Sequence, residues 1–224
     1  MESTASQVDL RTPYPRAEPA LGRSTLAGMN TVVLQADATV SRISGLAFMI
    51  GQRGEGASRR LAALDAEAEA NEWSAETLIR ARLAELRPRR SEIRGLSAAY
   101  VEAIAPGAVE AAHRIRRSGV TIELAGDIAA EALYGLAELL GVTPDAIHAP
   151  RLRFDALGAL AGCDLAPVVT ATPAGRRVYV GTQPWRERDT SDTFLRFTGV
   201  VAYEGKPTAL ASIGTFGELV PLVA

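Results

Sequence analysis

Residues 31–40, Thr31-Val32-Val33-Leu34-Gln35-Ala36-Asp37-Ala38-Thr39-Val40, constrain the fold more than any other stretch of the chain. Apolar and β-branched residues run straight into polar ones without alternating. Such a run suits a strand buried on both faces, as in a parallel sheet, with its polar tip at the carboxyl edge. In open α/β sheets that edge is where ligands sit. The stretch therefore predicts an α/β fold and places Gln35, Asp37 and Thr39 where chemistry is expected.

The remainder of the chain fits around this strand. Residues 1–29 are rich in Pro, Ser, Thr and Arg without a sustained apolar period, and read as an N-terminal arm. From 41 to about 53, Ile43, Leu46, Ala47 and Ile50 recur at helical spacing, and Gly54 and Gly56 break the pattern. Residues 57–104 read as about three helices with no strand between them, which predicts a small helical lid inserted over the sheet edge. A helix with Pro106 at its first turn follows, then a strand over 119–124. Asp127 is expected to N-cap the next helix, which Gly141 closes. Residues 146–163 read as a hairpin pair, 177–181 and 197–201 as buried strands, and 207–223 as mixed helix and strand. The expected organisation is the arm at 1–29, a core built from 30–44 and 105–224, and a helical cap at 45–104.

Composition narrows the class. A 224-residue chain with 47% hydrophobic and 22% charged residues is globular in character. Its formal net charge of −2 gives no electrostatic reason to expect nucleic acid or an anionic membrane as partner. Cys163 is the only cysteine, so neither an internal disulfide nor a cysteine-built zinc site is expected. No basic-then-apolar leader opens the chain and no apolar run reaches bilayer length, so a cytoplasmic protein is the expectation.

The Gln35-Ala36-Asp37-Ala38-Thr39 tip, the Pro106-Gly107 return from cap to core and the hairpin core Arg151-Leu152-Arg153-Phe154-Asp155 together resemble the haloacid dehalogenase (HAD) superfamily, in its phosphoserine-phosphatase branch. The resemblance implies a HAD-type Rossmannoid core, a parallel sheet flanked by helices, with an inserted helical cap. It also implies where phosphatase groups should stand. The first motif there is Asp-x-Asp-x-Thr, whose first Asp attacks phosphorus and whose second shuttles a proton; here Gln35 occupies the nucleophile position, while Asp37 and Thr39 match. An amide cannot form an acyl-phosphate. The family's Ser-Gly-Gly becomes Ala125-Gly126-Asp127, so Ala125 removes the hydroxyl donor and the negative charge of Asp127 is expected near the phosphate position. The helix carrying the family's Lys has no counterpart between Asp164 and Arg177, where two prolines and β-branched residues intervene. The magnesium motif Gly-Asp-Gly-x-x-Asp reads Gly181-Thr182-Gln183-Pro184-Trp185-Arg186, so Thr182 and Arg186 stand where the acids should be. On the cap side Ser44 replaces the Glu that reads a substrate amine; Arg82 either matches an Arg that holds the substrate carboxylate or lies with Arg80 and Arg87 on a solvated helix face. A hard divalent cation needs several oxygen ligands, usually with carboxylate charge, so no metal or other cofactor is expected.

Asp37 is thus the one acid–base group retained, and an ion pair between Asp37 and Arg186 across the sheet edge is expected. Gln35, Thr39, Ser44, Arg82, Asp127, Thr182, Gln183, Trp185 and Arg186 form the expected ligand-binding set. His113 and His148 have no Ser or Cys partner in a recognisable nucleophile motif, and P-loop and GxGxxG patterns are missing. Three functions stay open at this point: metal-free acid–base catalysis on a small metabolite (cyclisation, elimination or isomerisation), a non-catalytic scaffold binding a metabolite or protein, and residual phosphomonoesterase activity. The Ala- and Arg-rich composition suggests a GC-rich bacterial source and, by analogy, specialised metabolism. The expected partner is a small molecule in the cap/core cleft, with no nucleic acid and no membrane; a homodimer is left open.

Overall fold

The computed structural model describes residues 29–165, 176–182, 193–198 and 211–223. The strand expected at 31–40 is β1, Met29–Gln35, and it runs near the middle of a six-stranded sheet. Its neighbours are β2, Thr121–Ala125, and β6, Arg176–Gly181, both parallel to it. Beyond β2 lies β3, Ile147–His148; beyond β6 lie β7, Thr193–Phe197, and β8, Ala211–Ile213. The order β3-β2-β1-β6-β7-β8 is parallel throughout. From β1 the chain builds outward to β2 and β3, then returns to start again on the other side with β6. The order therefore reverses between β1 and β6, and their carboxyl ends flank the crevice where such sheets take ligands.

Alternate residues of β1 serve two different surfaces. Val32 and Leu34, with Ile122, Leu124, Val178 and Val180, enter the main apolar cluster beneath the helices. Val33 joins Ala125 and Tyr179 on the other face, among polar groups. There the Glu123 carboxylate accepts from Arg177 Nη2 at 2.6 Å and pairs with His148 Nε2 at 2.8 Å, a buried charged group spanning four strands. Burial pushes the Glu123 carboxyl up, but the hydrogen bonds and charges of His148 and Arg177 outweigh it and hold the group below its usual range.

Between β1 and β2 lie five helices: α1, Gly45–Gly51; α2, Glu55–Ala70; α3, Ala75–Leu86; α4, Arg90–Glu102; and α5, Ala108–Arg117. Then come α6, Ala130–Leu140, and a final α7, Phe216–Val223. The three helices read at 57–104 are α2, α3 and α4. Leu61, Ile79, Leu83, Leu86, Ile93 and Leu96 bury their apolar stripes in the same cluster that lies under the sheet. Two backbone passages join this block to the core: Arg42 N–H to the Ala103 carbonyl at 2.8 Å and Ala105 N–H to the Val40 carbonyl at 2.8 Å.

Several expectations are corrected. The first helix begins at Gly45 rather than 41, because residues 36–40 make a tight turn (Ala38 at φ 52°) before Ser44 caps the helix through Ala47 N–H. Asp127 is not an N-cap; α6 starts three residues later behind Ala129, whose side chain makes no cap bond. Ile147 and His148 pair with β2 in the main sheet, so the antiparallel hairpin is confined to β4, Arg151–Phe154, and β5, Leu160–Asp164. Phe197 of the strand read at 197–201 belongs to β7, which starts earlier, at Thr193, while 199–201 lie outside the described residues. Gly141 closes α6 at φ 69°, as expected. The arm at 1–28 and the segment 166–175, where a helix was judged lost, lie outside the described residues. Among the described residues no helix is long and apolar enough to cross a membrane.

Candidate functional site

The tight turn after β1 delivers Asp37 to the carboxyl edge with only 6% of its surface exposed. Its Oδ1 accepts two hydrogen bonds, from the Gly45 N–H at 2.5 Å and from the Tyr100 hydroxyl at 2.6 Å. The first donor opens α1; the second comes from the last turn of α4, 63 residues away in sequence. A carboxyl group removed from bulk water needs such donors to offset the lost hydration. Tyr100 is itself fully buried. Burial, then the charge and hydrogen bond of Asp37, then the charge of Asp127 push its phenol well above the usual range, so it stays a neutral donor at physiological pH. Glycine at 45 keeps this arrangement undisturbed: a Cβ there would lie 2.3 Å from the Tyr100 hydroxyl and 3.0 Å from Asp37 Oδ1, and would displace the hydroxyl.

Gln35, 4% exposed, ends β1 on the other flank of the edge. Its Oε1 accepts the Thr182 N–H at 2.9 Å, with the Thr182 hydroxyl at 3.4 Å. This contact crosses the point of strand reversal, tying the tip of β1 to the residue that leaves β6. Glycine at 181 leaves this contact room, since a Cβ there would fall 2.3 Å from Gln35 Oε1 and displace it.

Asp127, leaving β2, faces Arg82 of α3: Arg82 Nη1 lies 3.9 Å from Asp127 Oδ2, and Nη2 lies 2.8 Å from Asp65 of α2. Arg82 is thus a strut between the helical block and the sheet edge, not a residue of a solvated helix face. Ser44 spends its hydroxyl on capping α1, which gives it a structural duty at the position expected to read an amine. Thr39 is fully buried and its Oγ1 has no hydrogen-bond partner among the described residues. Gln183, Trp185 and Arg186 lie outside the described residues, and with them the expected Asp37–Arg186 pair.

No protein-family model and no curated protein matches the chain. Solved structures do. A phosphoserine phosphohydrolase-like protein from Francisella tularensis subsp. tularensis SCHU S4 is similar at TM-score 0.72 and 14% identity, over 88% of this chain and 100% of its own. A substrate-bound phosphoserine phosphatase complex follows at TM-score 0.61 and 13% identity, over 88% and 99%. The fold is that of the HAD superfamily. A HAD family hydrolase, t0658 from Salmonella enterica serovar Typhi, adds a TM-score of 0.60 at 12% identity, over 88% and 72%. At these identities the likeness carries architecture alone.

The HAD fold implies a divalent cation at the carboxyl edge, and the described donors do not fit one. The amide of Gln35 has its oxygen engaged by a backbone N–H, Thr182 brings an uncharged hydroxyl, and Asp37 Oδ1 holds two hydrogen-bond donors. Among the described residues no three His, Cys, Asp or Glu side chains converge. Hard cations select clustered, charged oxygens.

Sequence reading missed Tyr100 as a site residue. A large residue with a polar tip on an otherwise apolar helical stripe was the available signal, because a buried phenol needs a partner. Glu123 and Arg177 were missed likewise, though lone charges inside Thr121-Ile122-Glu123-Leu124 and Arg177-Val178-Tyr179-Val180 demand each other or another counter-ion.

Proposed function

We propose that this protein uses a HAD fold without HAD phosphoryl transfer, and that Asp37 acts as a metal-free general acid or base on a small metabolite bound at the carboxyl edge. The reaction class is a cyclisation, elimination or isomerisation, in which one proton moves between Asp37 and the substrate. A bacterial specialised pathway is the proposed setting.

The observation that carries this reading is the seating of Asp37: nearly buried, and oriented by Gly45 N–H and Tyr100 hydroxyl on one oxygen. Geometry fixed in this way is what general acid–base catalysis requires, and a positioned carboxylate contributes about 10²–10⁴-fold in such steps. Gln35 supports the other half, since an amide clamped to Thr182 offers no nucleophile to phosphorus. Arg82, Asp127 and Thr182 would orient the substrate, with Gln183, Trp185 and Arg186 proposed to join them.

A second reading draws on the same contact. Because Asp37 bridges α1 and α4, its carboxylate also serves as a structural tie, which favours a scaffold that binds without turning over. Asp37→Asn separates the two. If Asp37 is the catalyst, the substitution lowers turnover of the pathway reaction by about 10²-fold or more while the variant remains folded. Undiminished turnover would leave the scaffold reading.

A further inference from the structure

We propose that the Gln35 side-chain amide is a fixed hydrogen-bond donor that reads an uncharged carbonyl oxygen on the ligand. The inference rests on the edge site described above and names the chemical class it accepts. With Oε1 committed to the Thr182 N–H, the planar amide has its two arms assigned, and Nε2 is left to donate elsewhere. Among the described residues no acceptor takes the Nε2 hydrogens, and Nε2 is not one of the polar atoms sealed from solvent without a partner. The residue as a whole is 4% exposed, which leaves little else of it for a ligand to touch.

Place and charge select the acceptor. Gln35 and Thr182 end the two strands between which sheet order reverses, the position where open α/β sheets bind ligands. Two carboxylates, Asp37 and Asp127, leave the same edge, so an oxygen without formal charge is favoured over a phosphate or carboxylate oxygen. The amide is also held stiffly: Gly181 leaves just enough room for Oε1, and the clamp removes the side-chain freedom a ligand would otherwise have to freeze. An aspartate nucleophile of the parent chemistry would present only acceptors here. Gln35 adds donors, and its Oε1 reaches Thr182.

The test uses N-methylacetamide, acetate and inorganic phosphate as probes of the full chain, read on the Gln35 side-chain NH₂ cross-peaks in ¹⁵N-correlated NMR. N-methylacetamide is expected to shift those peaks saturably and more strongly than either anion at equal concentration. Gln35→Glu, which keeps an acceptor for Thr182 but removes the donors, should weaken that binding at least about fivefold. Gln35→Leu, matched in size and non-polar, should do the same and serves if the Glu variant does not fold. Asp37→Asn should still bind the probe, so loss of the catalytic reading leaves this one standing. Static NH₂ peaks, a stronger response to acetate or phosphate, or equal binding by the Gln35 variants would overturn it.

Discussion

Tyr100 and Gly45 show how a single oxygen can organise a site. Asp37 Oδ1 takes one hydrogen bond from each, and a methyl group at 45 would collide with both partners. Removing the hydroxyl leaves a buried carboxylate with one donor fewer. Tyr100→Phe is therefore expected to destabilise the protein by about 1.5–3 kcal/mol, the range for hydrogen bonds to charged groups, measured by urea unfolding. A loss of under half a kcal/mol, about the scatter of an ordinary surface substitution, would mean that Asp37 is held without Tyr100. At this scale the sequence was half legible. Gln35, Asp37 and Thr182 could be placed from their position after buried strands. Tyr100 could not, because its partner lies 63 residues away and helical periodicity does not report which core residue carries a polar tip to the edge.

Elements were legible where apolar pattern and punctuation agree. The strand at 31–40, the helices of 57–104 and the Gly141 stop all follow from burial period or from a glycine at positive φ. Boundaries failed where backbone partners decide. Ile147 and His148 join the main sheet because Gly126 N–H reaches the His148 carbonyl at 3.0 Å and Ala130 N–H reaches that of Pro150 at 2.8 Å, contacts that no local pattern encodes. His148 then supplies the outer member of the Glu123–Arg177 group, which links β3, β2 and β6. Glu123 has a lowered pKa in the folded protein, so the unfolded chain takes up its proton first as pH falls. The stabilisation is complete above the unfolded value and is lost as pH drops through the lower folded value. Glu123→Gln should cost about 3–5 kcal/mol at neutral pH, the range for breaking a buried ion pair, and should flatten the acid limb of stability against pH. Parallel acid limbs in wild type and variant would show that other carboxylates govern that loss.

For the molecule as a whole, the architecture is shown by the fold, and the proposed chemistry departs from it. The sheet order, the helical block between β1 and β2 and the β4–β5 hairpin reproduce a HAD frame at 14% identity to its Francisella tularensis neighbour, because a buried parallel sheet constrains residue class more than residue identity. The edge that frame presents carries an amide, a neutral hydroxyl and a carboxylate tied to a phenol. Phosphoryl transfer by the parent route needs a carboxylate nucleophile and a metal at that same edge. The most direct measurement is release of inorganic phosphate from phosphoserine and from p-nitrophenyl phosphate by the purified protein, with and without added Mg²⁺. The account predicts no release above buffer in either case; Mg²⁺-dependent release that is abolished by Gln35→Ala or Thr182→Ala would contradict it.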